Sequence, residues 1–141
     1  MVERHRASGH LGVGVLAGFG LKNGALASTV AHDSHNLVVA GDNDADILLA
    51  IEELCRCQGG YTIVSGGQVL RTLPLPIAGL FSDSDIFQAK DIADMVTLAR
   101  QLGVPTNVDP FVSLSFLALP VIPELRLTTQ GLYHVATNKI L

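Results

Sequence analysis

Charge is scarce in this sequence. Of its 141 residues only 16% are Asp, Glu, Lys or Arg, against roughly 25% in ordinary soluble domains. So few charges cannot solvate a whole surface. At least one face is therefore expected to be buried on another domain of a longer chain, or on a second copy of this one. Basic residues number nine, scattered, and the net charge is −4. Aromatics are few, five Phe and two Tyr. With no basic stripe and no stacking platform, nucleic-acid and anionic-membrane binding are not expected. Gly and Pro break every apolar run before it reaches bilayer length. The opening MVERHRASGHLGVGV lacks the continuous apolar core of a signal peptide, and a cytoplasmic setting is the expectation. The two cysteines, Cys55 and Cys57, lie two apart on a predicted helix. Their side chains diverge by roughly 200° there, which argues against a mutual bridge. With no soft ligand nearby in sequence, both are read as reduced thiols, one or both packed.

What the chain does have is glycine-punctuated apolar sequence, long enough for a single domain over 1–141. LGVGVLAGFGL (11–21) reads as strand or extended loop, with glycines where backbones pass closely. It carries no phosphate-loop spacing. Asn23-Gly24 predicts a turn, and ALASTVA (25–31) and NLVVA (36–40) predict strands. The clearest helix is Asn43 to Cys57. Asp42 or Asn43 caps it, Ile47, Ala50, Ile51, Leu54 and Cys55 form its buried stripe, Glu52 pairs with Arg56, and Gly59-Gly60 stops it. YTIVS (61–65) and QVLRTL (68–73) flank Gly66-Gly67 as a hairpin. A long helix is expected from Asp83 to Leu102, capped by Ser82 or Asp83. Its stripe is Ile92, Met95, Val96, Ala99 and Leu102, and Gly103 and Pro105 end it. Asp109-Pro110 starts a third helix. Phe111 to Leu119 is apolar nearly all round, so burial on most sides is expected. Leu125–Leu127 and Leu132–Val135 complete the strands. The fold class is therefore α/β (α+β): a mixed, largely antiparallel sheet with about three helices packed on it.

The polar island in this sequence is VAHDSHN (30–36). His32 and His35 lie three apart with Asp33 and Ser34 between them and Asn36 after. Three readings stand. Asp33 and Ser34 can bond nearby amides in an Asx-type turn, which the spacing favours. The group can touch a substrate or partner. Or His32 and His35 can hold a metal, as a small metal hydrolase would require. Only five histidines occur, with no HxH pair. The cluster Glu3-Arg4-His5-Arg6 reads as a solvated end or as a contact with an adjoining domain. The nucleophile elbow GxSxG is absent.

Four blocks carry a resemblance: VERH (2–5), GFGLKNGALASTVAHDSHN (18–36), LPLPIAGL (73–80) and DPFVSLSFLALPVIPELRLT (109–128). Together they resemble the C-terminal domain of bacterial adenine deaminases of the amidohydrolase superfamily, from Val2 to about Val135. The resemblance implies a parent that hydrolyses adenine to hypoxanthine and ammonia on a metal-dependent (β/α)₈ barrel, with manganese or iron as the metal. The barrel and its HxH motif are absent here, so no metal ligand and no cofactor carry over to this chain. Two departures, Cys55-Arg56-Cys57-Gln58 and His10 where asparagine is usual, lie outside the matching blocks. The chain starts abruptly within the family's pattern, which implies a domain excised from a longer parent. The expectations are an N-terminal barrel as partner, adenine met only through the parent, possible homo-oligomerisation, and no catalysis alone. His32, Asp33, Ser34, His35 and Asn36 are the candidate contacts to the substrate pocket. The alternative is a stand-alone binding or oligomerisation module without deaminase activity.

Overall fold

A computed structural model of the chain describes residues 1–83 and 89–141. Its elements are β1 (Ala25–Ser28), β2 (Val38–Gly41), α1 (Asp44–Arg56), β3 (Gly60–Ser65), β4 (Gln68–Pro74), α2 (Ala89–Gln101), α3 (Pro110–Leu117), β5 (Leu125–Thr128), β6 (Gly131–His134), a 3₁₀ turn (Val135–Thr137) and β7 (Lys139–Ile140). The α+β class with antiparallel pairing and three helices is as expected, but there are two sheets instead of one. Strands β2-β1-β3-β4 form the first and β5-β6-β7 the second, with every neighbour antiparallel. Pro120 and Pro123 follow α3, and the next residues fold back on themselves from Thr128 to Gly131 instead of joining an edge of the first sheet. No helix among the described residues is long and apolar enough to cross a membrane.

Central strand β1 is buried along its whole length, since helices cover both faces of the first sheet. Ala25, Ala27 and Val64 face α1 through Ala50 and Leu54. Leu26, Val38 and Ile63 face Met95 and Ala99 of α2 and Phe111 and Leu114 of α3. Alternation along β1 therefore gives small residues to the α1 side and Leu26 to the other. Because β2 and β3 both run antiparallel to β1, they are parallel to each other, and α1 makes the crossover between them.

Local signals hold well. Asn43 caps α1 by accepting from the Asp46 amide, and Asp109 caps α3 by accepting from the amides of Phe111 and Val112. Gly66 and Gly67 both have positive φ, 59° and 74°, as a tight hairpin turn of primed type demands. Segment 11–21 is extended, one of the two forms expected, and only Leu11 bridges, to Val2. Several expectations are corrected. The first strand ends at Ser28, where the Ser28 hydroxyl takes the Val30 amide at 2.9 Å and turns the chain. The next starts at Val38 because Leu37 pairs with Val2 instead. On α1 the inward line is Asp46, Ala50 and Leu54. Cys55 is exposed and Cys57 is the half-buried thiol, pushed up from its ordinary pKa by burial. Arg56 pairs with Glu53, not Glu52, through two 2.8 Å bonds, because Glu53 also leans on β4 and takes the Thr72 hydroxyl at 2.7 Å. The start expected for α2 lies partly outside the described residues. Within them, Met95 and Ala99 are buried as expected. Helix α3 is not buried on most sides: Val112 and Phe116, one turn apart, are exposed.

Candidate functional site

Residues 32–36 leave β1 and return to the sheet at Leu37. The His35 amide donates to the Ala31 carbonyl at 2.6 Å, closing a five-residue turn through the backbone. An Asx-type turn had been expected. Instead Asp33 is 87% exposed, and only Ser34 serves in part, its hydroxyl accepting a long bond, 3.5 Å, from the Asn36 amide. His35 takes φ of 49°, the left-handed region that non-glycine residues rarely enter.

Arg4 holds this turn from beneath. Its Nε donates to the His35 carbonyl at 2.6 Å, and its Nη2 donates to the Ala78 carbonyl at 2.5 Å. Its amide donates to Asn36 Oδ1 at 3.3 Å. Val2 exchanges bonds with Leu37, 2.8 and 3.1 Å, on the same strap. His5 Nε2 meets the Ser34 carbonyl at 2.7 Å. The guanidinium lies close against Gly79, where any Cβ would sit 2.6 Å from Nη2. The Gly79 carbonyl in turn takes the Thr29 hydroxyl at 2.7 Å, and Thr29 Oγ1 accepts from the Gly60 amide at 2.8 Å. From the third side, the His32 amide donates to Ser115 Oγ at 3.2 Å, and the His32 ring lies 5.7 Å from that of Phe116. Segments 2–5, 18–36, 73–80 and 109–128 thus all converge on one turn.

The five candidate residues divide into two roles. Asn36 is buried and His35 half-buried, so they anchor the turn. The His35 and His32 rings meet edge to face at a centroid distance of 5.8 Å. The His35 Nδ1 is enclosed with no hydrogen-bond partner among the described residues. Burial first, then the charges of His32 and Arg4, push the His35 pKa below its ordinary 6.5, with Asp33 opposing. The ring is therefore neutral near neutral pH. His32, Asp33 and Ser34 face outward, His32 with 45% of its side chain exposed. Beside His32 a cleft of about 310 Å³ is lined by Tyr61, Asp109, Phe111, Ser115 and Phe116 among others. Nearby, amides led by that of Ser8 hold the Glu3 carboxyl down to about 2, fixing the bend after the strap. Among the described residues no group of three or more His, Cys, Asp or Glu is placed to hold a metal ion. The turn can present imidazole, carboxylate and hydroxyl groups, but it has no assembled nucleophile and base.

A family model described as adenine deaminase C-terminal domain matches residues 1–139. The chain belongs to that family. Adenine deaminase 2 of Carboxydothermus hydrogenoformans is 56% identical over 139 residues, covering 98% of this chain and 24% of the relative. Adenine deaminase of Nitratidesulfovibrio vulgaris strain DP4 is 54% identical over 139 residues, 97% of this chain and 24% of the relative. That of Desulfitobacterium hafniense is 51% identical over 142 residues, 100% and 25%. The chain thus spans about a quarter of the length of the curated relatives it matches.

In this adenine deaminase C-terminal domain, the key residue that sequence reading missed is Arg4. The sequence places it in a polar cluster that is a solvated end or a contact with an adjoining domain; in the fold it is half-buried, with its guanidinium on two carbonyls of this domain. Its signal was faint: one arginine beside apolar Val2 in a chain short of charge. Thr29, Gly79 and Ser115 carried no local signal. Each matters only because distant segments meet there.

Proposed function

We propose that this domain serves an adenine deaminase, which converts adenine and water to hypoxanthine and ammonia. In this reading it packs on an N-terminal amidohydrolase barrel and presents the 32–36 turn at the rim of the active site. The observation that carries it is the division of labour at the turn. Four segments, including buried Thr29 and Ser115, fix its base, while the side chains of His32, Asp33 and Ser34 reach solvent at its crest. Ordering a turn costs conformational entropy, and an exposed crest this firmly held is preorganised for a contact.

The barrel carries the manganese or iron in this reading, since the described residues of this chain do not fit a metal. When bound there, the metal activates the attacking water. The domain contributes binding and exclusion of water. Neutral His35 stiffens the turn, and His32 and Asp33 offer a donor and an acceptor to a purine edge. The enzyme works in the cytoplasm.

The test uses the full-length enzyme with His32→Gln and Asp33→Asn. Asp33 is exposed and His32 half-exposed, so stability should change little while kcat/KM for adenine falls about tenfold or more, roughly 1.4 kcal/mol of transition-state stabilisation. Unchanged kcat/KM in both variants makes the turn purely structural. The rival reading, a binding or oligomerisation module, draws on the exposed apolar residues of segment 11–16. It predicts no adenine turnover by the full-length protein.

A further inference from the structure

Segment 11–16 shows an inverted pattern. Gly12 and Gly14 turn toward the β5–β6 hairpin, while Leu11, Val13 and Val15 turn to solvent, Val13 at 75% and Val15 at 102% exposure. The arrangement is enforced. A Cβ at position 12 would sit 1.9 Å from the Thr128 carbonyl oxygen, and one at position 14 would sit 2.9 Å from Leu132 Cδ2. At position 12 only glycine lets the backbone lie this close, and at position 14 a larger residue would have to push the Leu132 side chain aside, so the branched apolar side chains are held outward. Next to this ridge runs an apolar cleft of about 400 Å³, lined by Val13, Leu16, Phe19, Ile47, Leu114 and Leu127 among others, with Asp42 its one charged side chain. No charged residue occurs from Leu11 to Leu21. Solvent-facing apolar side chains in consecutive register, beside an apolar groove, mark a contact surface.

We propose that Leu11, Val13 and Val15 form the ridge by which this domain packs onto the remaining, larger part of adenine deaminase, against an uncharged apolar surface there. About three quarters of each relative lies outside the match, so a partner surface of ample size belongs to the same polypeptide. Val2 joins the ridge to the turn, bridging Leu37 on one side and Leu11 on the other. Only Leu11, the near end of the ridge, lies on this strap beside the turn; Val13 and Val15 run on past Met1, where they line the cleft with residues 38–42. An apolar partner is favoured because a charged one would be desolvated there without compensation. The proposal rests on the reading that the domain serves a deaminase.

The experiment uses the full-length enzyme. A photoreactive benzophenone side chain replaces Val15, and separately a Val13→Lys/Val15→Lys variant is made. The expected crosslink lies within one polypeptide, to a residue outside this domain. In the lysine variant, amide exchange at 11–16 should quicken at least tenfold, and this domain should unfold in a transition of its own. Leu48→Lys on the outer side of α1, also exposed, should leave exchange and unfolding as in the parent. No crosslink, or exchange unchanged in the lysine variant, overturns the proposal. So does a crosslink between two polypeptides with a halved particle mass in the variant, which would assign the ridge to a second copy. Adenine turnover by the unmodified enzyme separates the two readings. Turnover without the crosslink refutes the ridge alone, and the crosslink without turnover refutes the deaminase reading alone.

Discussion

Arg4 is the residue on which the turn depends. Its guanidinium serves two carbonyls in segments 31 and 74 positions away in sequence. Hydrogen bonds to charged groups contribute about 1.5–3 kcal/mol each. Arg4→Ala should therefore lower stability by about 2–3 kcal/mol, read from the urea midpoint. Arg4→Lys should recover only part, because one ammonium cannot match the forked geometry. His35 sets a pH dependence. Its pKa is pushed below 6.5 in the folded state, so the unfolded chain takes up a proton that the native state refuses. Between the lowered value and 6.5, stability rises with pH, and above 6.5 it is flat. Urea midpoints should therefore fall as pH drops below about 6.5, and His35→Asn, which tolerates the left-handed backbone, should remove that part of the slope. A slope unchanged in the variant would move the effect to another group.

At the scale of elements, α1 and the β3–β4 hairpin are tied through one side chain. Buried Asp46 accepts from Gly66 N at 3.1 Å, Gly67 N at 2.7 Å and Asn43 Nδ2 at 2.9 Å. These bonds hold its pKa below the usual 3.8, so their contribution is present above that value and is lost on acidification through the lower one. Asp46→Ala strands three donors and should cost about 2–3 kcal/mol, with the Gly66 and Gly67 amides exchanging first in hydrogen-exchange measurements. The boundaries of these elements were legible because caps and glycine turns act within a few residues. The tie was not. In sequence, Asp46 is simply an acid in the first turn of a helix, where the dipole favours it, and nothing local announces a hairpin twenty residues on. Cys55 lies off the buried stripe for a related reason. Periodicity gives the width of a stripe, and the sheet beneath sets its rotation, here toward Asp46, Ala50 and Leu54. Within the turn, the residue types were legible and their division into anchors and crest was not, since Arg4, Thr29 and Ser115 decide it from elsewhere.

In the whole molecule, the second sheet meets the rest partly through the glycine face of segment 11–16. Gly12→Ala drives a methyl into the Thr128 carbonyl, which cannot yield as a side-chain end would, and overpacking of this kind costs about 1–3 kcal/mol. Amides of β5 and β6 should then exchange faster while those of β1 and β3 keep their protection. A shared loss across both sheets would show one cooperative unit instead. The same alternation has a consequence for how the sequence tolerates change. Position 12 answers to the domain's own backbone and position 14 to the Leu127 and Leu132 side chains, whereas positions 13 and 15 answer to what lies beyond the domain. Saturation mutagenesis scored for folding should therefore read glycine-only, free, small-only, free across 12–15. Scored for the working enzyme, it should turn the two free positions apolar, and the difference between the scans marks where the domain's own requirements stop.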